Sequence, residues 1–348
     1  MRLSVVLALF AILQPSADTQ TGFVPLFNGK DLHGWTNVNC APDTWSVKNG
    51  MIHATGKPIC ELRTTRMYEN FVLELEYRHL KAGGNAGVFI WGDALTAPGQ
   101  PFVRAIEVQV LDGRESANYT SHGDVFAIHG ARMTPDRPHP GGWMRSLPSE
   151  KRAKPAGEWN QYRITAQNGS IKLAVNGAEV SGGYDITPRK GYIHLESEGS
   201  PILFRNIRIR ELPSAGTLAP DQIAREDEGY RSLYTGTDFA GWQLPEGHTG
   251  HWVSDDWTVK YDGRSEAANK NLQTERQYGD VQLIVDWRWM GKPAAVNTCG
   301  EATVSVTLDA TAPIKEWKRA VSNGRGRVCL PHQDVPIEYA NIFIKEPG

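Results

Sequence analysis

Three ionisable side chains alternate along Ile193-His194-Leu195-Glu196-Ser197-Glu198. In an extended strand successive side chains point to opposite faces, so Ile193 and Leu195 share one face while His194, Glu196 and Glu198 share the other. Two carboxylates spaced i, i+2 repel each other and their pKa values separate, which equips one to hold a proton and the other to accept one near neutral pH. The same alternation in Ile106-Glu107-Val108-Gln109-Val110 turns the aliphatics toward a core and Glu107 and Gln109 away from it. Such a face is the raw material of acid–base catalysis; its plain alternative is a wet outer surface carrying a Glu pair.

A further set lies in Ser121-His122-Gly123-Asp124 and His129. His/Asp/His residues can ligate a metal ion or hold a catalytic histidine, but this spacing alone is a weak metal signature and leaves the metal unknown. Along Asn85-Ala-Gly87-Val-Phe89-Ile-Trp91, alternation puts Phe89 and Trp91 on one face, either to stack on sugar rings or to pack in a core. No dinucleotide-binding fingerprint is present, so the sequence requires no cofactor.

Short alternating runs must position these groups. Phe71–Arg78, Ala86–Trp91, Ala105–Leu111, Tyr162–Ala166, Ile171–Val175 and Ile202–Ile209 all read as strands. Asn168-Gly169 and Asn176-Gly177 are strong two-residue turn signals between them. Helical periodicity is confined to Asp221–Glu228 and Ile314–Val321, so the expected class is an all-β sandwich. The 348 residues, with 35 Gly, 21 Pro and 11 Trp, suit two loop-rich domains, and 40% hydrophobic against 22% charged residues excludes global disorder. Charge is balanced, 37 Lys+Arg against 39 Asp+Glu, which argues against a nucleic-acid partner held by a basic face.

Arg2 followed by an apolar run to Leu13 and the small-residue exit at Ser16-Ala17 reads as a secretory signal over 1–17. That run is too short to span a bilayer and no later one is longer, so a secreted or periplasmic protein without a membrane span is expected. Four cysteines fit such a compartment, as Cys40–Cys60 and Cys299–Cys329 bridges or as buried thiols.

The chain also repeats itself. Phe23-Val-Pro-Leu26-Phe27-Asn-Gly29-Lys-Asp31-Leu-His-Gly34-Trp35 recurs as Tyr230-Arg-Ser-Leu233-Tyr234-Thr-Gly236-Thr-Asp238-Phe-Ala-Gly241-Trp242. Trp45-Ser-Val-Lys48 resembles Trp257-Thr-Val-Lys260, and Asn206-Ile-Arg-Ile-Arg-Glu211 resembles Asn341-Ile-Phe-Ile-Lys-Glu346. We read a β-sandwich over 23–211, a linker over 212–229 and a shortened second sandwich over 230–346. At matched positions His194, Glu196 and Glu198 become Cys329, Pro331 and Gln333, and the nearest match to Glu107-Val-Gln109 is Val304-Ser-Val306. A framework that survives while its polar face is erased is what a lost task in the second copy predicts.

Phe27-Asn-Gly-Lys-Asp-Leu-His-Gly-Trp35, Asn85-Ala-Gly-Val-Phe89, Ile106-Glu-Val-Gln-Val-Leu-Asp112, Lys154-Pro-Ala-Gly-Glu-Trp-Asn160, Val175-Asn-Gly177 and Leu195-Glu-Ser-Glu-Gly199 occur in an order that resembles the 3-keto-disaccharide hydrolase-like domain family. The resemblance covers about 23–211 and, more weakly, 230–346. It implies a concanavalin A-like jelly-roll sandwich, duplicated here, with a cleft on one sheet and an oligosaccharide or glycoside carrying a C3 ketone as substrate. Within that chemistry Glu107 or Glu198 would be the base that removes the C2 proton, and His122 or His194 the acid. Arg63 or a divalent cation would face the enolate oxygen. Asn85, Trp91, Gln109, His129, His194 and Glu196 would contact the substrate. The alternatives are a non-catalytic carbohydrate-binding sandwich and a retaining glucanase-type hydrolase; the latter wants two carboxylates roughly 5–5.5 Å apart.

Overall fold

A computed structural model describes residues 22–347 apart from 117, 215, 227 and 228, so the expected signal over 1–17 lies outside the described residues. The first half is an all-β jelly-roll sandwich. One sheet runs Arg132–Pro135, Ala178–Thr187, Ser170–Val175, Asn160–Gln167, Phe71–His79, Ile202–Glu211, Met51–Ala54, Trp45–Lys48, with Val24–Pro25 added against Ile202–Glu211. The other runs Arg145–Ser146, Val125–Ile128, Ala105–Leu111, Asn85–Gly92, Tyr192–Ser197, Cys60–Thr64, Trp35–Val38. Leu73, Leu75 and Ile164 of the first meet Val88, Val108 and Leu195 of the second in one buried core, each such side chain contributing about 1.5–3 kcal/mol. The Asn168-Gly169 turn closes a two-residue hairpin, Gln167 opposite Ser170, with both central residues at positive φ, as a type I′ turn requires.

The second half folds around its own core as one eight-stranded sheet. Its long strands, Leu272–Trp289 and Lys318–Leu330, supply positions that the first half divides between two sheets. Trp35 pairs with Thr64 and Trp242 with Thr274, and the two indoles donate to Leu26 O (2.8 Å) and Leu233 O (3.0 Å).

Register corrects three sequence readings. Trp45 pairs with Ala54 and packs on Phe204, while Trp252, not Trp257, pairs with Tyr261 and packs on Tyr339. Trp257 sits at the intervening turn against Trp317; the local W-x-V-K likeness was one hairpin step out of place. Thr303–Val304 pairs in parallel with Arg327–Val328, so it does not correspond to the antiparallel strand that carries Glu107. The helical candidate Ile314–Val321 instead enters the strand Lys318–Leu330, because its apolar residues pair rather than pack on one helix face.

The segment expected as a linker lies against the first sandwich. Leu212 N donates to Asn70 O, Arg225 pairs with Asp93, and Ala224 is buried. Both disulfides are present, Cys40–Cys60 with Cα atoms 5.4 Å apart and Cys299–Cys329 at 6.3 Å. The halves touch through Val38, Leu95, Tyr230, Ile284 and Phe343.

Candidate active site

The seven-stranded sheet turns its second face toward an enclosed polar layer. Leu195 pairs with Val88, and Gly87 pairs with Gln109, so Gly87 lies between Glu196 and the Glu107–Gln109 strand. A β-carbon on Gly87 would fall 2.9 Å from Glu196 Oε2 and 3.1 Å from Glu107 Oε1. Both carboxyl groups therefore reach over the one residue that has no side chain to keep them apart. Glu196 is 1% exposed and Glu107 7%. Glu198, half-buried, accepts from Asn85 Nδ2, and Gln109 Nε2 donates to Asn85 Oδ1 at 3.0 Å.

Burial is the main reason all three carboxyls titrate above the usual range. The charge of Glu198 raises Glu107 further while Arg145 opposes it; Glu107, Glu198 and Glu61 raise Glu196. At Glu198 the Arg114 guanidinium pulls down and Asp256, from the second half, pushes up. Glu196 is the deepest of the three, and its causes include no cation. Its Oε2 has no hydrogen-bond partner, and burial with three neighbouring carboxyls pushes its titration upward.

Beside this cluster Glu61 and His194 form a wholly buried pair, Nδ1 lying 2.5 Å from Oε2. The other oxygen of Glu61 accepts from the Val103 amide at 2.9 Å. Val103 belongs to the loop 93–104, whose Phe102 packs edge-on against Phe89 and stacks on His129. Arg63 pairs with His194 across the strands, donates to Thr64 O and lies 4.4 Å over the Tyr192 ring.

The sequence-derived set thus divides. Glu107, Glu196, Glu198, Gln109 and Asn85 come together; His129 borders the same layer through Phe102, and burial lowers its pKa. Arg63 reaches the layer but is engaged with Tyr192. His194 has no exposed surface and is paired with Glu61. Trp91 is a correction: its positive φ (57°) shifts the alternation, its ring is buried in the core, and its indole donates to Glu69 O at 2.8 Å. Phe89 keeps the face that both rings were expected to share.

His122 is the other correction. Its Nε2 pairs with Glu115 (2.9 Å) and its Nδ1 accepts from Ala153 N, which ties it into a surface loop. Asp124 pairs with Arg145, and His129 stacks on Phe102, so the His/Asp/His set does not converge. Among the described residues no group of three His, Cys, Asp or Glu side chains is arranged to hold a metal ion.

Four residues escaped the sequence reading. Glu61 alternates with Arg63 in Cys60–Thr64 just as Glu107 does with Gln109, and that pattern could have found it. Arg114 and Arg145 come from loops and an edge strand without periodicity. Trp143, 48% exposed, lies flat on His139 with rings 4.4 Å apart, two residues before Arg145.

A surface depression of about 560 Å³ lies elsewhere, on the nine-stranded sheet near Phe27, Glu76 and Asn206. Its carboxylates are already paired, Glu74 with Arg163 and Arg208, Glu76 with Arg205. Its carboxylates are thus committed to guanidinium partners, unlike Glu107 and Glu196, for which no ion pair is found among the described residues.

A family model described as the 3-keto-alpha-glucoside-1,2-lyase-like domain matches residues 22–210. A 3-keto-disaccharide hydrolase of Bacteroides thetaiotaomicron is 23% identical over 241 residues, 55% of this chain and 79% of that protein. Among solved structures, a candidate glycosyl hydrolase of Parabacteroides distasonis aligns at TM-score 0.46 and 20% identity, over 58% of this chain and 99% of that one. The carbohydrate-binding module CBM66 of Bacillus subtilis aligns at TM-score 0.37 and 13% identity, over 51% and 96%.

Proposed function

The chain belongs to the 3-keto-alpha-glucoside-1,2-lyase-like domain family, and from that premise we propose that its first sandwich cleaves glycosides already oxidised to a ketone at C3. The observation that carries this reading is the meeting of Glu107 and Glu196 over Gly87, with Glu198 at the outer edge.

A C3 ketone acidifies the proton on C2. Glu107, the carboxylate offset by Arg145, takes that proton and leaves an enolate; the C1–oxygen bond then breaks as Glu198, protonated at the start, gives its own proton to the departing oxygen. Water adds across the resulting C1–C2 double bond; its proton reloads Glu198 while Glu107 gives its proton back to C2, so the net change is hydrolysis. Glu196 keeps its proton and lends Glu107 a hydrogen-bond donor as its charge changes. Arg114, exposed beside Glu198, is the cation we assign to the enolate oxygen in place of Arg63. The open face of Trp143 suits the aglycone sugar. The two disulfides support an oxidising compartment and hence export.

Incubation with a 3-keto-glucoside and with its unoxidised parent tests the reading. Turnover of the ketone alone is expected. Cleavage of the parent would favour the retaining-glucanase alternative, and binding of either without turnover would favour a carbohydrate-binding module.

A further inference from the structure

The second half grips the loop that roofs the site. Gly99 N donates to Asp286 Oδ2 at 2.8 Å; Asn341 Nδ2 donates to Ala97 O (3.1 Å) and Gln100 O (3.0 Å); and Arg319 donates to Thr96 O (2.8 Å). Asp286 and Asn341 are buried and bonded to each other, and Arg319 neutralises Asp286. The same loop continues to Phe102 and Val103, which cover Phe89 and bind Glu61.

A comparison within the molecule shows that this grip is specialised. By register Asp286 stands where the first half has Glu76, because each is opposite the same position of the last strand: Asp286 pairs with Ala340, Glu76 with Arg205. Asn341 stands at Asn206, and both are held at positive φ (50° and 52°). In the first half, Asn206 bonds Glu76 on an open, charged surface bearing Glu74 and Arg208. In the second half those two positions are Ile284 and Phe343, packed against Val38 and Leu95. The second half has thus lost the polar layer (Cys329 for His194, opposite Gln273 for Arg63) and gained an outer face that holds a loop.

We propose that the second half is a clamp for the active-site roof, with Asp286 and Asn341 as positioning residues that keep loop 93–104 closed over Glu61 and the Glu107–Glu196 pair. This rests on reading those carboxyls as the reacting groups, yet its test does not require turnover.

In the full chain, Asp286→Ala or Asn341→Ala should raise hydrogen–deuterium exchange across 93–104 about tenfold, with Phe71–His79 and Ala105–Leu111 staying protected. By carbon-13 NMR of labelled glutamates, the carboxyl titrations of Glu107 and Glu196 should fall toward the ordinary value of about 4.3 as water enters. Asp286→Asn keeps an acceptor for Gly99 N and should restore most of the loop's protection. Gly99→Ala attacks the same contact from the loop, since a β-carbon there would lie 2.0 Å from the Trp317 ring. It serves if the Asp286 variant does not fold. Unchanged exchange in 93–104, or a loosened loop with unchanged titrations, would overturn the proposal. Loss of the ketone activity in the native chain, with these two readouts as expected, would instead reject the catalytic reading and leave the clamp standing.

Discussion

Glu107 and Glu196 approach each other over Gly87, where a β-carbon would lie 2.9 Å from Glu196 Oε2 and 3.1 Å from Glu107 Oε1. Gly87 is therefore part of the site although it has no functional group. Gly87→Ala should push the two carboxyl groups apart and cut kcat on a 3-keto-glucoside about a hundredfold. The added methyl meets side-chain ends and the Phe89 ring, so the stability cost should stay within about 1–3 kcal/mol, measured by chemical denaturation.

Glu107→Gln preserves shape while removing the base. Turnover should fall by about 10²–10⁴-fold with binding retained, as titration of an unreacted 3-keto-glycoside would record. Near-normal turnover would reject Glu107 as the base.

Burial raises the native pKa of Glu196 above its unfolded value near 4.5. A carboxyl shifted upward binds its proton more tightly in the native state. Its contribution to stability is complete below about pH 4.5 and declines as pH rises through the native value. Urea unfolding of Glu196→Gln should therefore show a variant that gains on the parent as pH rises from about 4.5, with the gap closing at lower pH. A constant gap across that window would contradict the assignment.

His122→Ala should leave kcat within about threefold of the parent, because its ring serves Glu115 and Ala153 rather than the carboxyl cluster. Surface pairs of this kind contribute about 0–1 kcal/mol, so stability should barely change.

The Cys40–Cys60 bridge closes a separation of 20 residues and anchors the strand that carries Glu61. Replacing both cysteines by serine should cost about 3 kcal/mol of stability in denaturant. Turnover at temperatures where the variant stays folded should fall less than in Glu107→Gln.

What alternation along a strand can express was legible in the sequence. Glu107 with Gln109, and His194 with Glu196 and Glu198, were placed on the correct face because nothing interrupts the pleat there. Trp91 was misplaced because one residue at positive φ reverses the face, and no residue type in Ile90-Trp91-Gly92 announces that reversal. His122 failed for another reason: its neighbour Glu115 comes from a loop, and loop contacts leave no periodic trace. Glu61 is legible by the same alternation, two residues from Arg63 on one strand. The roof over the site was not legible, since it depends on Asn341 meeting Ala97 and Gln100 from the far end of the chain.

The outer face of the second half receives an edge and a loop of the first, a head-to-tail contact that joins two different surfaces. Repeated from molecule to molecule, contacts of that kind build rings where the rotation closes and open filaments where it does not. Here the matching outer face of the first half carries the part-exposed Arg163 and Arg208, paired with the buried Glu74, and Arg205, paired with Glu76. Another molecule's loop would have to strip those charges of water to dock where Ile284 and Phe343 offer an apolar seat. The exchange of Ile and Phe for Glu and Arg at equivalent positions thus leaves the two halves with unlike outer faces, one apolar and covered, the other ion-paired.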